Sequence, residues 1–117
     1  MREKEKLHTI QVELERKRDK LRNRLQTEQK RIKNLSPSNP DQADRASLYA
    51  SKELGGLFCS LIEDELAQVE EALKRIEAGT YGICARCKGD ISEARLSVLP
   101  SAQYCFKCQK EMEQKTR

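Results

Sequence analysis

Four cysteines constrain this chain more than any other feature. They stand as Cys84-Ala85-Arg86-Cys87 and Cys105-Phe106-Lys107-Cys108, two Cys-x2-Cys pairs with seventeen residues between them. Each pair can present two thiolates from one tight turn, and two such turns closing on each other make the tetrahedral four-sulfur shell that Zn²⁺ accepts. The spacing predicts one structural zinc ion held by Cys84, Cys87, Cys105 and Cys108. The segment is too short and too polar to fold on an apolar core alone, so metal binding is expected to supply much of its folding free energy. Two disulfides, or a redox-active pair, are the competing readings. A redox pair needs a βαβ setting, and no such pattern surrounds Cys84 or Cys105. Four thiolates leave the metal no open position, which points to structure rather than catalysis.

The chain before Cys84 reads as two long helices. Charged residues make up 36% of the 117 and aromatics 4%, with no Trp. Such a composition cannot fill a large globular core but suits helices packed in pairs. The first helix is predicted over about Glu3–Leu35. Leu7, Ile10 and Leu14 keep 3–4 spacing, and Leu21, Leu25, Glu28, Ile32 and Leu35 continue the stripe after a phase slip. Ser36-Pro37-Ser38-Asn39-Pro40-Asp41 breaks it, because Pro37 excludes helical geometry at Ser36 and the Ser/Asn/Pro cluster favours a turn. Asn39 is the predicted N-cap of the second helix, with Pro40 at its first position. That helix is expected to run to Ala78 on Leu48, Phe58, Ile62, Leu66, Val69, Leu73 and Ile76. Gly55-Gly56 marks a bend in it or a close approach of the partner helix, and Gly79 is its expected C-cap.

The predicted fold is therefore mainly α: a long antiparallel coiled-coil hairpin over residues 1–79, with its tip at 36–46, then a small four-cysteine zinc-finger base and a short C-terminal helix over 80–117. Between the cysteine pairs, Ile91, Leu96, Val98 and Leu99 are the apolar residues available to pack around the metal. Zinc knuckles favour a positive φ after the second cysteine; Lys88 stands there, with Gly89 one residue later. Cys59 reads as a small buried hydrophobe and His8 as a surface residue.

Net charge is +4 but unevenly spread. Residues 1–35 carry twelve Lys/Arg against six Asp/Glu, residues 36–78 four against nine, and residues 79–117 seven against four. A basic helix beside an acidic one suits an intramolecular antiparallel pair. The longest apolar runs are far too short to span a bilayer and no leader pattern opens the chain, so a cytoplasmic, reduced setting is expected. At the tip, Asp41 and Asp44 have two readings. Carboxylates in a first helical turn satisfy free N–H groups and the helix dipole. Alternatively, a narrow finger presents two acidic groups to a metal or to basic side chains that a globular domain could not reach.

These residues resemble the DksA/TraR family of bacterial RNA polymerase-binding regulators. The resemblance rests on the tip pattern Asp41-x-x-Asp44-x-Ala46, the approach Gly79-Thr-Tyr-Gly-Ile-Cys84, the stretch Ile91…Ala94-Arg95-Leu96…Pro100-x-Ala102, and both cysteine pairs. It implies a hairpin that enters the secondary channel of RNA polymerase, with Asp41, Asp44 and Ala46 near the catalytic centre. The regulator would modulate initiation as a non-enzymatic monomer, with no sequence-specific DNA contact and no membrane. Two departures stand out. The longer DksA proteins have an additional N-terminal segment bracing the base, and the basic residues that help bind ppGpp are replaced here by Leu99 and Gln109. Dependence on ppGpp is accordingly not expected. The alternatives are a zinc-ribbon protein binding nucleic acid through its basic first helix, and a coiled-coil interaction scaffold. Scarce aromatics and the lack of a recognition helix weigh against the first.

Overall fold

The computed structural model describes residues 2–35 and 42–115, with side chains over 5–35 and 46–114. Four helices follow in order: α1 (Arg2–Lys33), α2 (Gln42–Ala78), α3 (Glu93–Val98) and α4 (Phe106–Lys115). The fold is mainly helical, as the periodicity implies. The only β pairing among the described residues is an isolated antiparallel bridge, Ile83 with Asp90. No helix there is long and apolar enough to cross a membrane.

α1 contains neither Gly nor Pro. It ends two residues before the predicted Leu35, where the Leu35 N–H turns back to the Ile32 carbonyl at 3.1 Å in a tightened last turn. The predicted cap Asn39, its neighbour Pro40 and most of the tip at 36–46 lie outside the described residues. α2 ends as expected at Gly79, which takes φ +76°. The Gly79 N–H bonds the Ile76 carbonyl at 3.3 Å and the Thr80 N–H reaches the Arg75 carbonyl at 2.9 Å. That pair of bonds is a Schellman cap, and the left-handed position it needs explains the glycine.

The chain forms two packed units. One is Asp19–Ala67; the other combines the chain up to Arg18 with the chain from Gln68 onward.

Within Asp19–Ala67, the stretch of α1 from Asp19 lies against the stretch of α2 up to Ala67. Leu21, Cys59 and Ile62 are buried, and each buried side chain of this size stabilises by about 1.5–3 kcal/mol. Of the two expectations for Gly55-Gly56, close approach is observed. α2 runs through both glycines without interruption. A Cβ at Gly55 would sit 2.7 Å from Ile32 Cγ1, whereas one at Gly56 would meet nothing within 4 Å. The predicted stripe needs one correction. Phe58 is 48% exposed, and the neighbouring Cys59 takes the seam position. With Gly55, Cys59 and Ile62 as the inward residues, the spacing is four and then three. Phe58 falls one residue out of that phase.

In the other unit, Leu14, Val69 and Ala72 are buried, Val69 completely. A second small core is formed by Cys84, Ile91, Ala102 and Cys108, with Leu96, Tyr104 and Cys105 packed on it. Two of the four apolar residues expected there are absent from it: Val98 is 84% and Leu99 39% exposed. α3 is the reason. Ser92 caps it, its Oγ accepting from the Arg95 N–H at 3.2 Å. The helical turn then directs Leu96 inward and leaves Val98 at its outer end. α4 matches the predicted closing helix and brings Cys108 into the cluster.

Candidate metal centre

The four predicted cysteines converge. Their sulfurs all lie within 4.8 Å of one another. The Cys87 and Cys105 sulfurs are 3.9 Å apart. A tetrahedral shell with Zn–S near 2.3 Å has edges of about 3.8 Å, so this separation suits ligands of one ion. All five cysteines of the chain are free thiols, which sets aside the disulfide reading.

Local backbone geometry explains why each pair can point two sulfurs at one spot. In the first knuckle the Lys88 N–H bonds the Cys84 carbonyl at 3.0 Å, and the Cys84 N–H bonds the Gly89 carbonyl at 2.7 Å. The turn requires a left-handed residue after Cys87, and Lys88 takes it at φ +65°. The Gly89 N–H then donates to Cys87 Sγ at 3.4 Å. That bond orients the sulfur toward the other three cysteines. The second knuckle opens α4, with the Gln109 N–H on the Cys105 carbonyl at 2.9 Å.

The thiols differ in environment. Burial raises the Cys84 pKa, but the amides of Cys87, Cys105 and Arg86 around its sulfur outweigh that and bring it to about 6. Burial and the neighbouring sulfurs push Cys108 up to about 12. One thiolate is therefore ready at neutral pH, and another sulfur must yield its proton when metal binds. Four sulfur donors at these separations, two of them supported by backbone amides, fit a single Zn²⁺. The site is coordinatively closed and its role is structural.

Side chains outside the cluster lock the two knuckles together, and sequence reasoning missed most of them. Arg75, in the last turn of α2, donates from Nη1 to the carbonyls of Ile83 at 3.0 Å and Gln103 at 3.4 Å. One guanidinium thus ties the segment before the first cysteine pair to the segment before the second. Its Nε lies 3.7 Å from Glu71. The Ala85 N–H reinforces the same junction by donating to the Gln103 carbonyl at 2.8 Å. Arg95 Nε donates to the Tyr104 carbonyl at 3.0 Å, and the Tyr81 hydroxyl to the Pro100 carbonyl at 2.6 Å. Burial raises the Tyr81 pKa, with Glu13 adding to it, so the phenol stays protonated as that donor. Arg86 pairs with Glu111 of α4 at 2.8 Å.

Of the predicted tip residues, Asp41 lies outside the described residues. Asp44 belongs to the first turn of α2, its side chain again outside what is described, and Ala46 is exposed on the same helix. Cys59 is buried as expected, and His8 is exposed.

A four-thiolate finger built on paired long helices defines a helical C4 zinc-finger protein. Residues 79–114 match the prokaryotic dksA/traR C4-type zinc finger. An uncharacterized protein of Aquifex aeolicus is 35% identical over 88 residues, which are 75% of this chain and 61% of that protein. The RNA polymerase-binding transcription factor DksA of Caulobacter vibrioides is 30% identical over 80 residues, 68% of this chain and 56% of the relative. The chain thus matches a little over half the length of these relatives. The solved structure of transcription factor DksA2 from Pseudomonas aeruginosa superposes with a TM-score of 0.81 at 26% identity, covering 95% of this chain and 85% of that one. Residues 79–114 thus carry a DksA/TraR-type zinc finger, and the chain as a whole is DksA-like.

Proposed function

We infer that this chain is a transcription regulator that binds RNA polymerase directly and has no chemistry of its own. The observation that carries this reading is the likeness to DksA2 along 95% of the chain, helices as well as finger. A zinc finger borrowed by an unrelated protein would match only over the finger. The name of the Caulobacter relative supplies the partner.

The pairing of two long helices supports a finer mechanism. A hairpin of two helices can enter a pore, here the secondary channel of the polymerase, that excludes a globular domain. Asp41, Asp44 and Ala46, at the expected hairpin tip, are then the residues near the catalytic centre. The carboxylates of Asp41 and Asp44 act there on Mg²⁺ or on basic side chains, and initiation shifts without contact to a DNA sequence. The protein works as a cytoplasmic monomer. It does not depend on ppGpp, because Leu99 and Gln109 carry no positive charge and Gln109 is engaged with Glu113 at 3.2 Å.

Purified protein is expected to co-elute with RNA polymerase and to compete with Gre-type cleavage factors for the same entrance. Asp44→Asn is expected to abolish regulation in a transcription assay while helicity, zinc content and polymerase binding persist. Full activity in that variant refutes the tip mechanism. Failure to co-elute refutes the partner.

A further inference from the structure

The four cysteines of the finger are not equally sheltered. Cys84 is 0% and Cys108 6% exposed, and both belong to the small finger core. Cys105 is partly covered and packs on that core, whereas Cys87 is exposed and has no place in it. Two sulfurs are thus walled in, and one stands at the open edge.

The surrounding bonds repeat this division. The Cys84 N–H donates to the Gly89 carbonyl at 2.7 Å, and the next amide, that of Ala85, to the Gln103 carbonyl at 2.8 Å. Arg75 holds the carbonyl of Ile83, directly before Cys84, at 3.0 Å. Arg86 donates from Nη1 to the Cys108 carbonyl at 3.4 Å and to Glu111 at 2.8 Å. Drawing Cys84 or Cys108 away from a shared ion would strain or break these bonds. On the Cys87 sulfur the Gly89 N–H makes a single contact, at 3.4 Å. Gly89 also leaves that sulfur bare: a Cβ there would touch Cys87 Sγ at 3.4 Å and would meet no other neighbour within 4 Å.

We propose that the finger exchanges its zinc through Cys87, with a soluble thiol attacking at the edge that Gly89 leaves open. The incoming thiol gives its thiolate to the ion and its proton to the Cys87 sulfur. One Zn–S bond forms as another breaks, and no oxidant takes part. Arg75 and Arg86 are positioning residues in this step, keeping Cys84 and Cys108 in place while Cys87 is displaced. The proposal rests on zinc at the four cysteines and is independent of the polymerase reading.

The test uses the full zinc-loaded chain, glutathione as the attacking thiol and a chromophoric chelator that reports released zinc. The release rate is expected to rise in proportion to glutathione. Gly89→Ala should slow it and Gly89→Leu should slow it further, because each places carbon over the Cys87 sulfur. The sign is decisive, since a substitution that merely loosened the knuckle would speed release. Brief treatment of the wild-type chain with N-ethylmaleimide, read by mass spectrometry, should place the first adduct on Cys87, with Cys84 and Cys108 last. Arg86→Met should bring Cys108 forward in that order. Release indifferent to glutathione, faster or unchanged release in Gly89→Leu, or a first adduct on Cys84 or Cys108 overturns the route. A chain that takes up no zinc at all overturns the metal assignment together with it.

Discussion

The two adjacent glycines of α2 answer differently to the same substitution. At Gly55 a methyl group would sit 2.7 Å from Ile32 Cγ1, closer than a packed seam tolerates without a shift of the isoleucine or of the helix. Gly55→Ala is expected to destabilise the protein by about 1–3 kcal/mol, the range for overpacking. Gly56 faces open space, and Gly56→Ala is expected to stabilise by about 1 kcal/mol through helix propensity alone. Thermal melts of the two variants should move in opposite directions; a shared sign would show that the seam does not come as close as described. Lys88 is a third such position. It occupies a left-handed conformation that costs an L-residue about 1–2 kcal/mol. Lys88→Gly should therefore leave zinc affinity intact and raise the melting temperature, and a lower one would mean the lysine side chain contributes more than its backbone strain removes.

At the scale of the element, the finger is the part whose order depends on the metal. Its core consists of Cys84, Ile91, Ala102 and Cys108, so two of its four buried members are ligands themselves. Chelation is expected to strip amide protection from the hydrogen bonds of Cys84, Lys88 and Ile91, and to spare the amides around Cys59 and Ile62. Hydrogen exchange with and without chelator decides this, and equal loss in both regions would sink it. Proton competition has a defined sign. Zinc binding requires thiolates, Cys108 holds its proton up to about 12, and Cys84 loses its own near 6. Zinc affinity should therefore fall as pH falls, by about tenfold per unit for each proton displaced, and more steeply below about 6 where Cys84 is protonated too. A chromophoric chelator titration from pH 8 to pH 5 measures the slope; a flat profile contradicts it. Arg75 belongs to this scale as well. Arg75→Met keeps the aliphatic stem but removes the donors to Ile83 and Gln103, and should weaken zinc retention against a competing chelator without changing any ligand.

For the whole molecule, what was legible in the sequence was whatever carries its own side-chain signal. The ligand set followed from the cysteine spacing, and α1 and α2 from apolar periodicity. Gly79 announced a helix end. The rest was hidden for physical reasons. Arg75, Arg95 and Tyr81 act on backbone carbonyls, which leave no complementary residue in the sequence to find. α3 is too short to show a period; Ser92 three residues before Arg95 was its only sign. Phe58 and Cys59 are both apolar neighbours at a seam, and only the phase set by Gly55 against Ile32 decides which one turns inward. The charge asymmetry between α1 and α2 was visible from the start.

The Arg75 clamp also governs which lengths of chain this finger can accept. The Schellman cap fixes the direction in which the backbone leaves α2, and the guanidinium then holds the carbonyl of Ile83, eight residues on. An inserted or deleted residue between Gly79 and Ile83 would turn a different carbonyl, or none, toward the arginine and carry Cys84 off its place. At the outer end of α3 the Val98 side chain is exposed and meets no such clamp. Length variation in relatives of this chain should therefore collect around Val98 and Leu99, while the run from Arg75 to Cys84 keeps a constant count.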